Sequence, residues 1–131
     1  MKPLLLLALG CSAAFGQLGK TPEECAKRYG PPGKLPQKDQ IGYESGGFLI
    51  RITFAEGKAR AASFHKKSSK GEITDAEVAA LLAGFAGGSP WTRDEATTVT
   101  SFQRWITEDH KLVAHRYRQS VEIMSSDQIA K

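Results

Sequence analysis

With 131 residues the chain has room for one domain rather than two ordinary ones, and 40% hydrophobic residues are enough for a core, which excludes wholesale disorder. Eighteen Lys and Arg against fourteen Asp and Glu give a net charge of +4, an excess too mild and too scattered for a nucleic-acid binder with a basic face. The one basic run, His65-Lys66-Lys67-Ser68-Ser69-Lys70, reads first as a solvated loop, with a patch for phospholipid headgroups or cell-surface polyanions as the alternative.

The chain opens as a secretory leader. Met1-Lys2 is a short positive start, Leu4 to Leu9 is unbroken apolar, and Gly10 to Gly16 is small and weakly polar apart from Phe15. Cleavage after Ala14 or after Gly16 fits the small-x-small rule. Gly16 is preferred because Gln17 begins a polar segment, so residues 1–16 are assigned to the signal peptide and 17–131 to one α+β domain of net charge +3. The apolar stretch is far short of the roughly 20 residues that span a bilayer, and no later segment approaches that length. A rival reading takes Leu9-Gly10-Cys11-Ser12 as a lipobox with Cys11 as the lipidation site, although Ala8 stands where that motif prefers leucine. With the leader removed, Cys25 is alone and cannot form an internal disulfide; burial on a helix face is its expected state.

Thr21-Pro22-Glu23-Glu24 is a helix start, with Thr21 and Glu24 as a capping box and proline in the first turn. Cys25 and Tyr29 share a face, and Gly30-Pro31-Pro32 stops the helix. Gly33 to Asp39 reads as a polar connector. Ile41 and Tyr43 alternate in a short strand, Gly46-Gly47 turns, and Phe48, Ile50, Ile52 and Phe54 alternate with Leu49, Arg51, Thr53 and Ala55 in the clearest strand of the chain. Glu56-Gly57 is a hairpin turn into a strand over 58–66 carrying Phe64. After a loop over 68–72, Thr74 and Glu77 repeat the capping box, and Ile73 and Val78 sit as a hydrophobic staple. Val78, Leu81, Leu82 and Phe85 form the stripe to be buried. Gly87-Gly88-Ser89-Pro90 ends this helix, and Trp91 is expected to pack back on it. Residues 92–100 read as a loop. Strands follow over 101–107, over 112–118 with Val113, His115 and Tyr117 on one side, and through Val121, Ile123 and Ser125; Glu108-Asp109-His110 is the turn between the first two.

The halves match under a shift of 53 residues, which brings Thr21 onto Thr74, Glu24 onto Glu77, Arg51 onto Arg104, Ile52 onto Trp105 and Phe64 onto Tyr117. This organises the expected fold: two αβββ units, about 19–67 and 72–126, making an antiparallel six-stranded meander sheet with two helices on one face and the other face at least partly open. The capped helix ending Tyr29-Gly30-Pro31-Pro32, followed by the three-strand meander through 48–54 and Glu56-Gly57-Lys58, resembles the small αβββ modules of the cell envelope. These are the BamE-type lipoproteins of outer-membrane barrel assembly and the tandem modules of the β-lactamase inhibitor protein. The Trp91, Trp105, Ala114 and Tyr117 spacing is also similar to a group of small exported bacterial proteins of unknown function. The resemblance implies a fold, an exported location and, loosely, an interaction role; it carries over no site residue.

No motif requires catalysis. His65, His110 and His115 stand in no metal-ligand spacing, the serines lie in no nucleophile elbow, and the glycines close a helix rather than open one, so neither enzyme nor cofactor nor metal is expected. The candidate binding residues are Arg104, Arg116, Arg118 and Tyr117, which the strand assignment gathers near Trp105; arginine and aromatic side chains are common interface anchors. The alternative is an ordinary solvated face with cross-strand charge pairs. The leading expectation is therefore a monomeric, non-enzymatic interaction module of the periplasm or extracellular space, docking an envelope or secreted protein or an anionic glycan on its open sheet face. A small-ligand binder or minor hydrolase, with a pocket between sheet and helices lined by His115 or Cys25, is the second reading. A structural outer-membrane lipoprotein anchored at Cys11 is the third.

Overall fold

The computed structural model describes residues 18–35, 37–67, 71–85, 89–95 and 102–126. The proposed leader, Cys11 and the bulk of the basic run's serine end lie outside them. Helix α1, Pro22–Tyr29, starts as its residues dictate. The Glu24 backbone N–H donates to Thr21 Oγ1 at 3.2 Å, and the Thr21 N–H donates to Glu24 Oε1 at 2.9 Å. Helix α2, Asp75–Phe85, is capped the same way by Thr74 and Glu77, at 3.1 and 2.8 Å. Ile73 and Val78 are both buried, as a staple requires, and Trp91 Nε1–H donates to the Leu82 carbonyl at 2.7 Å, closing the chain back on the helix end. No helix among the described residues is long and apolar enough to cross a membrane.

The sheet corrects the expected architecture. It holds eight strands among the described residues: β1 Gly33–Lys34, β2 Gln40–Ser45, β3 Phe48–Ala55, β4 Lys58–Lys66, β5 Trp91–Arg93, β6 Gln103–Thr107, β7 Leu112–Arg116 and β8 Ser120–Ser125. Their order is β1-β2-β3-β4-β8-β7-β6-β5, all antiparallel. Six strands become eight because two short edge strands form where polar connectors were expected. A segment of two or three residues is too short to show alternation, and it is extended only because a neighbour offers it backbone partners. Nor is the sheet one meander. The chain leaves β4, builds α2 and travels to the far edge, then works inward so that its last strand, β8, pairs with β4.

The order is symmetric about the β4–β8 pair, but a shift of 53 does not follow that symmetry strand for strand. That shift laid the strand through Arg51 and Ile52 on the strand through Arg104 and Trp105. In the sheet, β3 lies one strand from the central β4–β8 pair, whereas β6 lies two strands from it. The helices differ as well: α1 approaches β2, and α2 approaches β8.

Directly paired residues of an antiparallel sheet share a face. One row therefore runs Tyr43, Ile50, Phe64, Val121 and Arg116, and the next runs Ile41, Ile52, Ala62, Ile123, Ala114 and Trp105. These rows face the helices. The Phe64 ring meets Tyr29 of α1 at 6.2 Å between centroids and Phe85 of α2 at 5.7 Å, so one side chain of β4 anchors both helices to the same layer. Ile52, Ile123, Val121 and Cys25 are fully buried in this layer. Burial pushes the Cys25 thiol up to about 11, with the Glu24 carboxylate adding to the effect and Lys20 opposing it.

Candidate functional site: a groove on the outer sheet face

The four sequence-derived candidates do not form one surface. Arg116 lies in the Phe64 row and so faces the helix layer. Its Nη1 donates to Asp75 Oδ1 at 2.6 Å and to Gln103 Oε1 at 2.9 Å, and its Nη2 donates to the Ile73 carbonyl at 2.8 Å. Those bonds tie β7 to the start of α2. Arg104 pairs in register with His115, one residue out of phase with Arg116, and so faces the other way. It donates to Asp94 Oδ2 at 2.7 Å. Arg118, in the turn before β8, has Nε 3.7 Å from Glu72 Oε2.

Tyr117, 40% exposed, has its ring 5.4 Å from Phe102, whose own ring is 5.4 Å from His115. His115 is held below the usual imidazole range by partial burial and then by Arg104, with Glu122 opposing. A recess of about 310 Å³ does gather Arg116, Tyr117 and Arg118 with Phe102 and Gln103, but Asp75 and Glu72 also line it and take up the two guanidinium groups. Cys25 packs in the helix layer, whereas His115 stands on the outer face. Among the described residues no three His, Cys, Asp or Glu side chains cluster at metal-binding spacing.

The outer face differs from end to end. Toward β7 it is closed: Val113, in register with Met124 and Ile106, is 1% exposed yet stands apart from the main core. Toward β1 it opens into a groove of about 600 Å³, a volume within the usual range of binding sites. The register explains the groove. Gly33, Gly42, Arg51 and Ser63 form one row across β1 to β4, so the side chains on either side of Arg51 are absent or small. The next row sets Glu44, Leu49 and His65 side by side as the far wall. The near wall is Leu35, which follows β1 and bends over Gly42: a Cβ at Gly42 would come within 3.3 Å of Leu35 Cδ2. Leu49, on the groove wall, is 47% exposed. Glu44 is engaged by Lys67.

Sequence reading missed this site. The alternation of the strand over 48–55 already placed Leu49 and Arg51 on the face away from the core. What it could not show is that Gly42 and Ser63 would flank Arg51, because those positions are brought together only by strand register. Comparison of the chain with protein-family models, curated proteins and solved structures finds no match to any of them.

Proposed function

We propose that the protein is an exported, non-enzymatic binding module of the cell envelope or secretome, which docks a partner protein on the outer face of β1 to β4. The export component rests on the leader-like order of residues 1–16. The docking component rests chiefly on one observation: Leu49 is 47% exposed on the wall of a groove of about 600 Å³, with charged residues around it. Exposed apolar surface set among charged and polar side chains is an ordinary feature of protein interfaces. The recess around Arg116 supports such a role less well, since its guanidinium groups already have protein partners.

The test is comparative capture from native envelope and culture fluid. Wild-type protein, Leu49→Asp and Arg104→Ser are immobilised in parallel, and retained proteins are identified by mass spectrometry. At least one protein is expected on wild type and Arg104→Ser and lost on Leu49→Asp. Identical recovery on all three would refute docking at the groove. The intact mass of the exported chain tests the compartment: an unmodified start at Gln17 is expected, and an acylated start at Cys11 would replace it with a lipoprotein.

A further inference from the structure

This inference rests on the groove being a docking surface, and it concerns what the docked segment must carry. The charges of the groove are unevenly answered. Glu44 is taken by Lys67, whereas Arg51 and Lys34, which also lines the groove, make no ion pair among the described residues. Arg51 is exposed and stands mid-row, between Gly42 and Ser63. Neither neighbour has a side chain that can reach across the guanidinium, so its N–H donors face whatever enters the groove. Carboxylates match that group best, because two parallel N–H···O bonds can form at once. Apolar surface lies on both sides: Leu35 over Gly42, and the half-exposed Leu49 two residues along β3 on the same face.

The dimensions suit a polypeptide. The row from Gly33 to Ser63 crosses four strands, about 14 Å at ordinary interstrand spacing. An extended chain covers that distance with about four residues. The geometry points to one occupant: an extended segment of a partner protein in which a carboxylate stands beside an apolar side chain. The carboxylate forks onto Arg51, and the apolar group seats between Leu35 and Leu49.

The probe is an acetylated, fluorescein-labelled tetrapeptide of three leucines and one aspartate, compared with the same peptide carrying lysine in place of aspartate. Binding to the purified exported protein is read by fluorescence polarisation. The aspartate peptide is expected to bind about tenfold more tightly than the lysine peptide, as a charge-assisted pair requires. Arg51→Glu and, separately, Arg51→Gln should remove that preference, and Leu49→Ser should weaken both peptides; circular dichroism of each variant confirms that it is folded. Equal binding of the two peptides by wild type, or a preference that survives both Arg51 substitutions, would overturn the inference. So would Arg51-dependent flotation with phosphatidylglycerol vesicles in the absence of any peptide preference, which would assign the groove to a lipid surface. The two levels fail separately. If the peptide preference is absent while Leu49→Asp still loses captured partners, only the acid anchor falls; if Leu49→Asp loses nothing, the docking reading falls with it.

Discussion

Thr107 is a fully buried polar side chain, and the hairpin between β6 and β7 depends on it. Its hydroxyl accepts the Leu112 N–H at 3.0 Å and donates to Asp109 Oδ1 at 2.8 Å, while the same carboxylate accepts the Lys111 N–H at 3.0 Å. These bonds, the Lys111 N–H foremost, hold the Asp109 carboxyl below its usual range, and they enclose His110 in the left-handed region at φ 61°. Thr107→Val keeps the shape but leaves the Leu112 N–H without its acceptor. It should lower the unfolding free energy by about 1–3 kcal/mol, the cost of a buried unsatisfied donor. Urea unfolding measures this, and a midpoint equal to wild type would show that the hydroxyl is dispensable. The sequence marks 108–110 as a turn, but nothing local singles out Thr107, because the groups it joins become buried only in the folded hairpin. The same limit misled the grouping of the arginines. Arg104 and Arg116 lie on neighbouring strands, yet register sets Arg104 opposite His115, and a single residue of phase sends Arg116 to the other face.

At the scale of elements, the helices follow their residues closely. Each capping box is complete, and each keeps its glutamate below the ordinary value of 4.5: Glu24 through the Thr21 N–H, and Glu77 through the Thr74 N–H and then Lys66 Nζ at 3.0 Å. Lys66 thereby links β4 to the first turn of α2. A carboxylate with a depressed folded-state pKa stabilises the fold above its unfolded value, and that stabilisation is lost as pH falls through the folded one. The melting temperature of the protein should therefore decline between about pH 5 and pH 3, and the decline should be shallower in Glu24→Gln/Glu77→Gln. Parallel curves for the two proteins would show that the caps do not contribute to acid sensitivity. The long strands were equally plain, since β3 alternates over eight residues and Glu56-Gly57 supplies positive φ at both turn positions, 53° and 79°. The short edge strands β1 and β5 were not, because their extended backbone comes from β2 and β6 rather than from any pattern of their own.

For the whole molecule, the decisive contact is the pairing of β4 with β8. It joins residues 61–65 to 120–124 and makes one sheet out of two four-stranded halves. Ala62, Phe64, Val121 and Ile123 bury this seam beneath the helices. Amides of β4 and β8 should thus exchange with deuterium most slowly and those of β1 and β5 most quickly, since the seam opens only when the core opens. Rapid exchange at the seam would mean that the two halves unfold independently. The residues alone determined both capped helices, the major hairpins and which strand positions are apolar, because each of these is set by interactions within a few residues or across one tight turn. Only the tertiary structure decided that β8 lies beside β4, that Arg104 and Arg116 point apart, and that two glycines and a serine leave Arg51 open in a groove. Those outcomes depend on register between strands tens of residues apart, and register is chosen by how the whole apolar face closes against its helices.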